Sequence, residues 1–323
     1  MAKQPKRPSS GRRPVRPGRN STTTERVQVT LRQRLMNRRV VITSGIFLAA
    51  LVVALGAIFL FYKVYADPQR VFWSTVNNNL ATNGVSKQTI SSQSGTLTSE
   101  ITQMVFSPNL KIHDLKTATS QSTNSQVTLE TIGTVNADYE RYSKIIRPGA
   151  KTSQADYQKI YDMWLKNGGA STGSAEVINN AIFGAVLFGN LNNAQRAQLL
   201  TMLKGTYVVD FANVNKQTVA GRRTYVYQVL VPLKKYAAAA HAYATFEGLP
   251  VANQIDPANY NDSNHLQIKI TVDVLSRQIK RIDYAQQNLT ETYTGYGIQP
   301  EVNPPTHIVD STQFENVINS IIK

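Results

Sequence analysis

The chain contains no cysteine. That excludes disulfides, thiolate metal sites, cysteine nucleophiles and a lipid-modified cysteine as anchor. In an exported domain, the same absence fits a cell that does not rely on oxidative folding, such as one with a bacterial envelope. Histidine is scarce: His113, His241, His265 and His307 fall in different segments, and no pair has H-x-x-x-H or H-E-x-x-H spacing. No metal site and no cofactor are expected. Also missing are a Gly-x-Ser-x-Gly elbow, a phosphate loop and a G-x-G-x-x-G turn. The acids are too dispersed to single out an acid/base pair, so no enzymatic activity is expected.

Acidic residues are nearly absent from one end. Residues 1–39 carry twelve Lys/Arg and a single acid, Glu25, whereas residues 63–323 carry the other 23 bases and 19 acids. The strongly basic character therefore belongs to a tail, and the folded part is close to neutral. No aromatic residue interleaves the basic ones in that tail, so nucleic acid is not an expected partner. Residues 1–24 are rich in Pro, Arg, Ser, Gly and Thr and nearly devoid of apolar side chains, a composition that cannot offset the entropy of ordering. This segment reads as disordered. Thr22-x-x-Glu25 could cap a short basic helix leading to Arg39. Arg32, Arg34, Arg38 and Arg39 would then meet anionic membrane lipid, each base contributing about 1 kcal/mol near the surface.

Beyond the tail stands the longest apolar run of the chain. Residues 40–62 (VVITSGIFLAALVVALGAIFLFY) carry no charge. A helix of that length spans about 34 Å at 1.5 Å per residue, against roughly 30 Å of hydrocarbon. Phe59, Phe61, Tyr62 and Tyr65 crowd its outer end, as an interfacial belt does. We read the run as an uncleaved signal anchor. The rival readings are a cleaved signal peptide, for which Val64-Tyr65-Ala66 would be the site, and a buried core helix. Because the twelve bases precede the span, the N-terminus is expected in the cytoplasm and residues 63–323 outside the cell membrane, as a single-pass protein.

The outer part reads as helix, strands, helices, strands. Asp67 and Pro68 open a helix whose Val71, Phe72, Trp73, Val76 and Leu80 share one face, with Gly84 to end it. Residues 88–146 read as an antiparallel meander with one notably polar face, as in strands covering something on only one side. Ser153-x-x-Asp156 opens a helix through Trp164 and Leu165 to the break at Gly168-Gly169. A second helix is expected from Ala175 to about Leu187, and a third from Asn192 to Gly205. Strands are expected at Thr206–Phe211 and Thr224–Val231, with a hairpin turn near Gly221. A helix runs from Pro232 to Phe246, and three strands fill residues 264–296. Thr312-x-x-Glu315 caps a final amphipathic helix bearing Phe314, Val317, Ile318, Ile321 and Ile322. The expected fold class is α+β: one N-terminal transmembrane helix, then a curved, half-barrel-like antiparallel sheet with inserted helices.

Three segments carry a resemblance. LNNAQRAQLLTMLKG (Leu191–Gly205) before a strand, ITVDVLSRQIKRIDY (Ile270–Tyr284) and YTGYGIQPEVNPP (Tyr293–Pro305) resemble the corresponding segments of LolA/LppX-type lipoprotein carriers. The element order of residues 67–305 resembles that family as well. The resemblance implies a curved sheet whose concave side, closed by helices, encloses an apolar cavity for acyl chains or another hydrophobic ligand. Ile178, Ile182, Val186, Phe188, Leu200, Tyr225 and Tyr227 are the residues named as its lining, ordinary core packing being the alternative for each. The expected function is a membrane-anchored envelope domain binding a lipid or other hydrophobic ligand. The alternative is a bitopic structural or assembly subunit of an envelope or secretion complex, with envelope proteins rather than a small ligand as partners.

Overall fold

A computed structural model describes residues 43, 46–167 and 176–321. The basic tail with Arg32, Arg34, Arg38 and Arg39, the Gly168-Gly169 break and Ile322 lie outside the described residues. The chain divides into two compact units, residues 1–63 and 64–323. In the first, helix α1 (Ile46–Tyr65, its last residues shared with the second unit) is long and apolar enough to cross a membrane, and nearly all its side chains are exposed. All the strands described and all the buried apolar residues, Ala66 to Ile321, lie in the second unit. Residues 64–323 therefore have a complete core of their own.

Helix α2 (Pro68–Asn79) starts as its sequence dictates: Asp67 accepts the Arg70 N–H at 2.8 Å and Pro68 occupies the first turn. It ends at Leu80, and Gly84 instead begins β1 (Gly84–Gln93). A Cβ there would lie 2.2 Å from the Ile298 carbonyl oxygen, so glycine is required by close backbone approach.

Strands β1, β2 (Thr96–Val105), β3 (Lys111–Ser120), β4 (Gln126–Thr134) and β5 (Asp138–Ile146) form the expected meander. Ser94 and Gly95, both at positive φ, make the tight turn between β1 and β2. The second run comprises β9 (Arg222–Pro232), β10 (His265–Asp273), β11 (Gln278–Tyr284) and β12 (Leu289–Thr294), with β8 (Asn215–Val219) paired to β9. β12 pairs with β1, joining both runs into one large, curved, unclosed sheet. Its ends are the two-residue strands β7 (Val208–Val209) and β13 (Ile308–Val309). This is the architecture that the element order implied.

The helices differ from expectation in the middle of the chain. The helix opened by Ser153 is only α3 (Gln154–Tyr161); Trp164 and Leu165 belong to β6 (Trp164–Asn167), antiparallel to β5 and parallel to β13. The free edge of β5 supplies ladder partners that a continued helix would forgo. Trp164 also packs under the Arg141 guanidinium, 4.6 Å from the ring centre. The helix expected to reach Leu187 is the short α4 (Glu176–Ile182). Beyond it the carbonyls of Gly184, Ala185 and Phe188 accept hydroxyl protons from Tyr236, Tyr207 and Tyr243. Residues 185–188 can thus be buried without helical hydrogen bonds. Helix α5 (Asn193–Thr206) has the complete Asn192/Gln195 capping box, and Gly205 lies inside it, not at its end. Helix α6 (Leu233–Phe246) continues directly from β9. In α7 (Ser311–Ile321) the first-turn N–H of Gln313 is accepted by Asp310 at 2.7 Å, so Asp310 takes the capping role expected of Thr312. The apolar side of α7 packs with Tyr157 and Ile160 of α3 against Tyr142 and Ile145 of β5.

Candidate functional site

The register of the sheet fixes which side chains share its covered face. On β9–β12 that face is apolar: Tyr227, Ile270 and Ile282 sit side by side on adjacent strands, ending at Glu291 of β12. On β1–β5 the equivalent row is Lys87, Thr102, Asp114, Thr131 and Glu140. Gly133, on the same side as Thr131, carries α4: a Cβ there would meet Val177 at 2.6 Å. The polar face noted in the sequence is therefore the covered one. Leu97 and Ile101, the apolar side of β2, are exposed on the opposite face.

Two adjoining cavities lie on the covered face. The apolar one has a volume of about 600 Å³, within the range of small-molecule sites. Its walls are Phe183, Gly184 and Ala185 after α4, Tyr236, Ala237 and Ala240 of α6, and Leu266, Tyr284 and Leu289 of the sheet. The reason for the space is visible in α6, whose KKYAAAAHAY run places small side chains where a leucine-rich helix would fill the gap. The polar one, about 440 Å³, lies against β1–β5 and α4. Asn180 and Glu291 line both.

Glu291 is buried and held at the junction. The hydroxyls of Tyr284 and Tyr293 donate to its Oε2 at 2.9 and 2.7 Å, and Lys87 Nζ lies 3.6 Å from Oε1. Burial raises the pKa of both tyrosines far above the ordinary value, so they remain donors at any physiological pH. In the polar cavity, burial and then the neighbouring Glu100 push Asp114 up to about 6, against the hydrogen bond that Thr102 donates at 2.7 Å. Asp138 is raised by burial, and Glu140 by burial and then by Asp138 and Glu176. Among the described residues no three acidic or histidine side chains are grouped as metal ligands.

The residues named from the sequence as cavity lining fall elsewhere. Ile178, Ile182, Val186, Phe188, Tyr225 and Tyr227 are fully buried in the core, and Leu200 is half-buried on α5; none lines the apolar cavity. Tyr225 and Tyr227 hold the start of the domain: their hydroxyls donate to the carbonyls of Ala66 at 2.7 Å and Pro68 at 2.9 Å. The lining is instead the intervening Phe183–Ala185 and the alanine face of α6. The alanine run was the available signal for it. No sequence signal marked the polar cavity, because its charges come from five strands and α4.

No family model matches the chain, and no curated protein matches it either. Among solved structures the chain is similar to LprF from Mycobacterium bovis, at 13% identity and a TM-score of 0.40, over 74% of this chain and 96% of that one. Likeness at that level carries no functional conclusion, and the architecture stands on the strand pairing described above.

Proposed function

We propose that residues 64–323 form an extracytoplasmic domain that binds a hydrophobic ligand, such as an acyl chain, and that α1 tethers it to the cell membrane of a bacterial envelope. The observation that carries this reading is the apolar cavity of about 600 Å³ between α6 and the sheet. A domain of this size has enough apolar side chains to close such a space, and leaving it open forfeits packing energy unless something fills it. The role is binding, not catalysis: the cavity wall is mostly aliphatic and aromatic, the Tyr236 hydroxyl donates to the Gly184 carbonyl, and the Tyr284 hydroxyl donates to Glu291, the one carboxylate among the described lining residues. The basic tail supports an orientation with the N-terminus in the cytoplasm.

The test is native mass spectrometry of the full chain purified from the membrane fraction. A co-purifying lipid that is absent from the Ala185→Trp variant, with the fold retained by circular dichroism, is the expected result. A ligand-free protein of defined oligomers would overturn it in favour of an assembly subunit. Protease added to intact cells with a permeable outer layer should digest the C-terminal part; its survival would reverse the orientation.

A further inference from the structure

The polar cavity holds more charge than its surroundings balance. Glu100, Asp114, Asp138, Glu140, Glu176 and Glu291 line it against two cations, Lys87 and Lys116, an excess of four negative charges. Lys87 is 5% exposed and its ammonium is already paired with Glu291 at 3.6 Å. Among the described residues no arginine lines the cavity, so they offer no bidentate fork of the kind that suits phosphate.

A second observation points to a missing occupant. Asp138 is 4% exposed and lines the cavity; the backbone N–H groups of Val177, at 3.1 Å from Oδ2, and of Glu176 face its carboxylate, but its Oδ1 is buried without a hydrogen-bond partner among the described residues. Thr89 Oγ1, in the same wall, is also buried and unpartnered. Buried polar atoms left unpaired cost free energy that a ligand donor would recover.

We propose that this cavity is the headgroup site of a cationic amphiphile, whose ammonium group sits among Glu100, Asp114, Asp138 and Glu140 while its tail passes Asn180 and Glu291 into the apolar cavity. An ammonium supplies both the positive charge and the N–H donors that the walls lack. The inference rests on the apolar cavity being a ligand site and adds the chemistry of the group beside it. The raised carboxyl pKa values agree with it, since buried like charges without a counter-ion hold protons. A bound cation lowers them again, so affinity should rise with pH through the region around 6. Lys87 and Lys116 on β1 and β3, Glu291 on β12 and Glu176 on α4 complete the set of charges facing the bound group.

The test compares three probes of equal tail length on residues 64–323 stripped of lipid: dodecylamine, dodecyl phosphate and dodecyl maltoside, each below its micelle concentration, by calorimetry. At pH 7.5 dodecylamine is expected to bind at least tenfold more tightly than either of the others, and to lose about tenfold on going to pH 5. In Asp114→Asn and, separately, Glu140→Gln, the ratio of amine to maltoside affinity should fall severalfold. Glu140 is less buried than Asp114, which keeps the test valid should Asp114→Asn fold poorly. Equal or tighter binding of the phosphate or the maltoside would overturn the headgroup assignment while leaving the apolar cavity standing. Binding of none of the three would overturn both.

Discussion

The two runs of the sheet, β1–β5 and β9–β12, share one curved backbone and the same alternation of side chains, yet their covered faces are chemically opposite. On β9–β12 the inward residues are Tyr225, Tyr227, Val229, Val231, Ile268, Ile270, Val272 and Ile282, all buried, and α2 and α6 close over them with α5 packed against both helices. On β1–β5 they are Lys87, Thr102, Asp114 and Thr131, and the cover over their middle is the seven-residue α4. An apolar face must be sealed by large amphipathic helices, and it becomes a core. A polar face resists sealing because each buried charge needs a partner, so it keeps a cavity. The apolar cavity sits between the two, where alanines of α6 meet the edge of the aromatic core.

The largest effect that would sharpen this contrast is expected at Ile270→Ala. Ile270 is fully buried in the centre of the apolar run, and truncation there should cost about 2–5 kcal/mol in denaturant unfolding. A loss below about 1 kcal/mol would mean that the apolar run is not the core. The next effect is pH dependence in the polar run. Asp114 titrates at about 6 in the folded chain against 3.8 for the ordinary side chain, so the folded state binds the proton more tightly. Its contribution to stability is fully present below about pH 4 and is lost as pH rises through 6, amounting to roughly 2–3 kcal/mol. Asp138 and Glu140, also raised, act in the same direction. Asp114→Asn should flatten the slope of stability between about pH 4 and 6.5, measured by thermal melting; an unchanged slope would remove Asp114 from this role.

A smaller loss is expected from Tyr225→Phe. It removes the 2.7 Å hydrogen bond to the Ala66 carbonyl and leaves that oxygen buried, at a cost of about 1–2 kcal/mol. The readout is the unfolding midpoint, together with faster amide exchange over residues 66–72. The smallest effect should come from Leu97→Thr on the outer face of β2, which is 40% exposed. A change within about 0.5 kcal/mol is expected. A large loss there would show that the outer face of the meander is covered after all, and the inside–outside comparison would fail.

Local signals were legible wherever a segment's own atoms decide its conformation. Asp67-Pro68, the Asn192/Gln195 capping box, the hairpin turn near Gly221 and the alternating Leu266–Val272 strand all stand where the residues placed them. The errors arose where distant residues compete for the same backbone. Trp164 and Leu165 fit a helical face, but the edge of β5 and the Arg141 guanidinium claim them for a strand. Val186 and Phe188 fit a continued helix, but tyrosines from α6 and from the end of α5 take the carbonyls that a helix would use. For the site, the apolar character of 175–188 was readable but the side chains facing empty space were not. Ile178 and Ile182 turn into the core while Phe183 and Ala185 face the cavity.

Composition, periodicity and capping chemistry act within a few residues. They were enough to specify the uncharged span able to cross a membrane, the near-neutral domain beyond it, the antiparallel meander and most helix starts. Three features came only from the folded chain: the polar face of the meander points inward, Lys87, Asp114 and Glu140 meet across five strands, and the alanines of α6 leave a space. They depend on register and on which helix covers which face, and both are set by contacts between residues far apart in the chain.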